Sequence, residues 1–232
     1  GNYVGRVALA AVGASTPIIN MLIGFFMGIS TGAGVVIAQF FGAGNTCKMK
    51  RAIHNSIALT LVMGVVLTIV GLLFNDPILK AIGVPSEVFS EASTYLSIYF
   101  WSLIFVMVYN MGSGILRSVG DSKRPLYFLI FSSVVNIILD FLFVKYFHFG
   151  VAGAGYATLI AQAISAIMVM YVLMKTEDDY KVILKEIGFD KEILLKIIKI
   201  GLPTGFQQSI VSLSNVIVQS YINVYGASVI AG

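Results

Sequence analysis

The chain has 232 residues, 58% of them hydrophobic and 11% charged, with a formal net charge of +4. Soluble domains carry roughly 25% charged residues, so this composition excludes an ordinary water-soluble enzyme and a disordered chain. The basic residues stand singly between apolar runs, which excludes a nucleic-acid binder, and a single cysteine, Cys47, excludes an intramolecular disulfide or a cysteine-rich metal site.

What remains is an all-α polytopic membrane protein. A spanning helix needs about 20 mostly apolar residues. Six segments meet that requirement, near 12–41, 52–74, 92–116, 125–147, 151–174 and 200–224. They are continuously apolar rather than alternating, which argues against a strand barrel. The first five form an amino-terminal bundle over 1–174. Between the fifth and sixth spans, residues 175–199 are the long polar stretch of the chain. There Ile183, Leu184, Ile187, Ile193, Leu194, Ile197 and Ile198 recur at helical spacing. That pattern predicts an interfacial amphipathic connector, cytoplasmic by its lysines. Residues 200–232 then hold the first helix of a second bundle.

Lysine and arginine set the orientation. Lys48, Lys50, Arg51, Arg117, Lys123, Arg124 and the six lysines within 175–199 share one side, against Arg6, Lys80 and Lys145 on the other. The first set faces the cytoplasm, so the chain starts outside. No initiator methionine or signal peptide precedes that start, and the expectation is a fragment whose first helix is missing. A short repeat points the same way. Gly5-Arg6-Val7-Ala8-Leu9-Ala10 is echoed 221 residues later by Gly226-Ala227-Ser228-Val229-Ile230-Ala231. Both copies sit at the outer end of a span, as in transporters built from parallel repeats, so the expected parent has about twelve helices.

The functional reading begins at Asp140, the one acidic residue inside a span. A carboxylate at mid-membrane costs about 2.5–3.5 kcal/mol on insertion scales and is normally kept for ion or proton handling. Asn136 lies one turn earlier on the same helix face. Asp140 sits roughly 10 Å from the outer end of its span, so the plainer alternative is contact with outer water or with Lys145. A tight turn at Phe149-Gly150-Val151 joins the fourth and fifth spans. Thr158 lies as far beyond Phe149 as Asp140 lies before it, which places the two at similar depth. Its hydroxyl either helps to ligate a cation or bonds its own helix carbonyl. Gln162, one turn further in, has the same two readings.

Most other intramembrane amides, Asn20, Gln39, Asn55, Asn110, Asn215 and Gln219, read as packing contacts between helices. Gln207 and Gln208 differ, because they follow Pro203-Thr204-Gly205, where a broken helix would open them to a cavity and to substrate. Gly24, Gly28 and Gly32 recur every fourth residue as a close-packing face, with a hinge as the alternative. The turn from Arg117 to Arg124 reads as a cytoplasmic anchor in which Asp121 pairs with Arg117 or Lys123, and Pro125 starts the next helix. His54 and His148 stand apart from other ligand-type residues, so zinc and haem are not expected. Neither a P-loop nor a dinucleotide fingerprint occurs, nor a catalytic dyad, and the chain is expected to be no enzyme and to need no cofactor.

Six segments taken in order carry a family resemblance. They are residues 5–13 (GRVALAAVG), Gln39-Phe-Phe-Gly42-Ala-Gly-Asn45, Arg117-Ser-Val-Gly120-Asp121-Ser-Lys-Arg-Pro125, Asn136 through Asp140, Gly150-Val-Ala-Gly-Ala-Gly-Tyr-Ala-Thr158 and Gly201-Leu-Pro-Thr-Gly-Phe-Gln207-Gln208. Together they resemble the multidrug and toxic compound extrusion transporters, in their prokaryotic branch, over nearly the whole chain. The resemblance implies twelve helices in two bundles, of which this chain is about half. It implies a cation-coupled antiporter that exports small organic, often cationic, compounds by alternating access.

It also implies a cation site made by an aspartate of the first helix, an asparagine–aspartate pair of the fifth and a threonine of the sixth. The matching positions are Asn136, Asp140 and Thr158, and the first-helix aspartate would precede Gly1. The coupling ion would be H+ or Na+, with no other metal. The protein would be a monomer in the lipid bilayer of a prokaryotic plasma membrane. A flippase for lipid-linked sugars is the alternative, but it is expected to set basic residues toward a central cleft, and here no lysine or arginine lies well inside a span. A channel or structural subunit, which needs no coupled carboxylate, is a further one.

Overall fold

A computed structural model of the protein describes residues 5–81 and 83–224, with side chains for 16, 19–81, 83–212 and 214. Residues 226–231 and the side chains of 5–10, Asn215 and Gln219 fall outside that description, and with them the short repeat and two of the amides. Six α-helices follow one another: α1 Gly5–Gly42, α2 Thr46–Ala81, α3 Ser86–Ser118, α4 Lys123–Phe141, α5 Gly150–Lys175 and α6 Lys191–Val224. Among the described residues, five stretches are long and apolar enough to cross a membrane: 19–42, 46–81, 86–118, 123–146 and 150–175. The helices overrun the apolar segments at their ends. The 36 residues of α2 reach about 54 Å, well past a hydrocarbon layer of about 30 Å.

The outward faces are apolar. Val62, Val65, Val66, Ile69 and Leu73 are exposed along α2, as are Leu129, Ile130, Phe131, Val134, Ile137 and Ile138 along α4. In water such contiguous faces would be buried against a partner; in a bilayer the acyl chains solvate them. Inside, apolar side chains gather in two clusters. One, toward the lysine-rich end, holds Ile37, Ile53, Ile115, Leu116, Leu173 and Ile197. The other, toward the opposite end, holds Leu79, Leu96, Phe100 and Leu103. Because lipid tails are as apolar as these cores, close fit and hydrogen bonds decide which helices pair.

Both devices join α2 to α3. A Cβ on Gly71 would stand 2.2 Å from the Phe100 ring, so the glycine makes the room that the ring occupies. One turn further along the same face, Asn75 Nδ2 donates to the Ser93 carbonyl at 2.8 Å and to Ser97 Oγ at 2.6 Å. Ser93 Oγ in turn donates to Asp76 Oδ1 at 2.7 Å. Asn75→Ala is expected to destabilise this pair by about 1–3 kcal/mol, the cost of leaving partly buried partners unsatisfied. A lower unfolding temperature of the purified protein checks this, and an unchanged one would show that the bonds contribute nothing.

The glycine stripe of α1 is a packing face, and its partner is α6. A Cβ on Gly28 would lie 2.2 Å from Gly205 Cα, one on Gly32 2.4 Å from Gly201 Cα, and one on Gly24 3.2 Å from Ser212 Oγ. The two backbones touch, which only glycine on both sides permits.

Four local readings change. The α4–α5 connection is not a tight turn directly after the span: α4 runs into a wide π-helical turn, Leu142–Tyr146, before the chain reverses at His148 and Gly150, both with positive φ. Phe147 and Phe149 stack there with ring centroids 5.6 Å apart, and the Lys145 ammonium lies over the Phe141 ring. The connector is not one amphipathic helix. It is irregular apart from a single 3-10 turn, Leu184–Glu186, and the sixth helix begins at Lys191 rather than near 200. Asp190 is the reason: its Oδ1 accepts the N–H groups of Glu192 at 3.0 Å and Ile193 at 3.3 Å, capping α6 and dividing the apolar pattern in two. Pro203 does not break α6, which continues through it. Asp121 pairs with Arg124 rather than with Arg117 or Lys123, because its other oxygen caps α4 by accepting the Arg124 N–H at 3.1 Å.

Candidate functional site

On α4, Asn136 and Asp140 are half-buried, while Ile137 and Ile138 between them are exposed. The helical period therefore turns the amide and carboxylate toward the protein and the aliphatic side chains toward lipid. Asn136 Nδ2 and Asp140 Oδ1 are both buried, and neither has a hydrogen-bond partner among the described residues. A buried polar atom left unpaired costs about 1–3 kcal/mol, more when it is charged. A donor and an acceptor held this way one turn apart can meet by rotation of one side chain, or each can meet a third group.

The neighbouring helices complete the surroundings. Tyr95 on α3 is half-buried and within electrostatic reach of Asp140. Sequence reasoning missed it, since an aromatic side chain in a span reads as packing and no spacing links it to α4. Tyr95 does also pack against the apolar cluster around Leu96 and Leu103. On α5, Thr158 is half-buried and its hydroxyl donates to the Ala154 carbonyl at 3.0 Å, so the hydrogen goes to its own helix while the oxygen lone pairs stay available. Gln162 is half-buried and Gln207 and Gln208 are exposed. With α6 unbroken, the cavity that a helix break would open to that last pair is not formed by one.

The packing amides behave as glue in different ways. Asn55 is fully buried and donates to the Asp190 carbonyl at 2.7 Å, tying α2 to the connector. Asn110 donates to the Val106 carbonyl of its own helix, and its backbone carbonyl accepts from Ser30 Oγ at 2.9 Å. Ser30 and Asn110 also line a cavity of about 300 Å³ between α1 and α3, together with Met27, Thr31, Gly114 and Arg117. His54 is not isolated, since Glu186 Oε2 stands 3.8 Å from its Nε2. Among the described residues, no three histidine, cysteine, aspartate or glutamate side chains gather as a metal site would require.

Comparison with known proteins adds a family and a length. The MatE family model matches residues 1–142. The probable multidrug resistance protein YoeA of Bacillus subtilis (strain 168) is 34% identical, over 100% of this chain and 51% of its own length. Two solved structures superpose with a TM-score of 0.85 at 31% identity. One is an inward-facing conformation of a multidrug resistance MATE family transporter of the MOP superfamily, covering 91% of this chain and 48% of its own. The other is an outward-facing conformation under the same description, covering 95% and 48%. The chain thus spans about half the length of the proteins it matches.

Proposed function

The chain belongs to the MatE family of multidrug and toxic compound extrusion transporters, and from that premise we propose that it supplies the ion-coupled bundle of a secondary active antiporter. The substrates are small organic compounds, often cationic, exported in exchange for H+ or Na+ across a prokaryotic plasma membrane, by a monomer. The lysine-rich ends face the cytoplasm. Residues 1–174 form the first bundle, and α6 opens the second.

One observation carries this reading: Asn136 Nδ2 and Asp140 Oδ1, buried one turn apart on α4 and without a hydrogen-bond partner among the described residues. An ionised Asp140 draws the Asn136 amide as a donor. A proton or Na+ on the carboxylate removes that attraction and releases the amide. The ion therefore binds one arrangement of α4 better than the other, and differential binding shifts the balance between inward- and outward-facing states. The likeness to transporters solved in both states, at one TM-score, fits a bundle that keeps its fold as access alternates. The similar proteins are multidrug transporters by name, which does not favour a lipid-linked-sugar flippase.

Thr158 takes part through its oxygen, whose hydrogen is already committed to Ala154. Thr158→Val is expected to weaken cation affinity about tenfold, equivalent to ~1.4 kcal/mol, and Thr158→Ser to preserve it. Half-saturating cation concentration for transport by the full-length protein in liposomes measures both. Equal values for the two variants would remove Thr158 from the site. Gln207 and Gln208, exposed on α6, are kept as substrate contacts. The whole reading is tested by Asp140→Asn in the same assay: cation-driven export should vanish, and retained export would end it.

A further inference from the structure

We propose that His54 is a proton-sensitive latch: on protonation its Nε2 exchanges the Ile183 amide for the Glu186 carboxylate, freeing that amide and shifting the connector's hold on α2 to the next turn. The hydrogen-bond geometry assigns the resting state. His54 Nδ1 lies 2.7 Å from the Lys50 carbonyl, which can only accept, so Nδ1 carries the hydrogen. The Ile183 N–H donates to Nε2 at 2.9 Å, so Nε2 is bare. Both ring nitrogens are thereby used by a neutral imidazole whose side chain is only 4% exposed.

A second proton must go to Nε2, where it would face the Ile183 N–H head-on. That bond then becomes a donor–donor clash. The replacement acceptor is close, because Glu186 Oε2 stands 3.8 Å from Nε2 on the turn that follows Ile183. About 1 Å of movement brings it to charge-assisted hydrogen-bond distance. A cavity of about 450 Å³ opens onto the ring and gives solvent protons a route. The other ionisable groups around it are Cys47, Lys50 and Arg51 from α2 and Asp190 from the connector. Lys50 is paired with Asp179 at 3.0 Å and Arg51 with Asp190 at 3.7 Å, so both nearby cations are already balanced by connector carboxylates.

The exchange reaches beyond the ring. Four residues past Glu186, Asp190 caps α6 and receives the Asn55 amide on its carbonyl. The 183–186 segment is thus the adjustable part of the only covalent path from α5 to α6, and α6 rests on the α1 glycines. Histidine is the side chain that ordinarily changes charge between pH 5 and 8, so proton concentration on the lysine-rich side sets how α6 is tethered. None of this depends on which ion, if any, Asp140 carries.

Amide hydrogen exchange of the 180–190 segment in the full-length transporter, held in lipid nanodiscs, tests the latch. Each measurement is taken relative to His54→Gln at the same pH, which cancels the chemical pH dependence of exchange. The glutamine oxygen can accept the Ile183 N–H and does not titrate. Exchange should match at pH 8 and be about tenfold faster in the natural sequence at pH 5. A ratio that stays flat overturns the proposal. Glu186→Gln, a change at a half-exposed side chain, keeps the question open to test if the first variant fails to fold. Loss of the receiving carboxylate should shrink the tenfold acceleration at pH 5, and an acceleration equal to that of the natural sequence would also overturn it.

Discussion

Asp140→Asn is expected to abolish cation-driven export without lowering the protein's stability. The two side chains have the same shape, so the substitution removes a titratable charge and little else. One charge moving down the membrane potential supplies about 2.3 kcal/mol per 100 mV. At ~1.4 kcal/mol per tenfold, that energy sustains roughly fifty-fold accumulation. On the proposed mechanism an asparagine at 140 takes up no proton and has no charge to hold Na+, so accumulation by the full-length protein in liposomes should fall toward no gradient at all.

Stability should move differently. Asp140 Oδ1 is buried without a partner among the described residues, and neutralising an unpaired buried carboxylate relieves a desolvation cost. The unfolding temperature is therefore expected to stay level or rise. This opposition separates the functional reading from the structural one. If Asp140 were only a packing group, the isosteric change would leave export intact. Full accumulation by the variant would place the coupling site elsewhere.

Gly28→Ala should produce the opposite pattern, a large structural effect far from any titratable group. The added methyl would stand 2.2 Å from Gly205 Cα, where real contacts of this kind do not come within 3.0 Å. The obstacle is backbone, which cannot rotate away as a side chain can. The α1 and α6 axes must separate, and the Gly32–Gly201 contact one turn along opens with them. Overpacking of this kind costs about 1–3 kcal/mol. The control is Gly42→Ala, at a position with nothing within 4 Å and no positive φ. That change should fall within about 0.5 kcal/mol of neutral. Thermal unfolding of both variants in detergent compares them directly. A Gly28→Ala loss no greater than that of Gly42→Ala would mean that the seam is loose.

Several features were legible from the residues because they express a local property. Partition of a segment between water and lipid depends on that segment's own side chains, so the apolar runs located the helices, with ends extended outward into polar ground. The energetic cost of a carboxylate in hydrocarbon is equally local, and it singled out Asp140 and, through the helical period, Asn136. The Gly24–Gly28–Gly32 spacing likewise announced a tight contact. Six short motifs in order identified the family, since they are properties of the chain and not of its packing.

What no local rule supplied was the identity of partners. That α6 is the helix lying on the glycine stripe depends on where a segment some 170 residues later comes to rest. Tyr95 comes within electrostatic reach of Asp140 through the placement of α3 relative to α4, although nothing in either span's spacing refers to the other. The connector shows the same limit from the other side. Its Ile183-to-Ile198 pattern is helical on paper, yet His54 takes the Ile183 amide and Asn55 holds the Asp190 carbonyl, so hydrogen bonds from distant residues outweigh the local period. A periodicity states which face of a segment avoids water. Which distant donor or backbone meets that face is settled only when the helices pack.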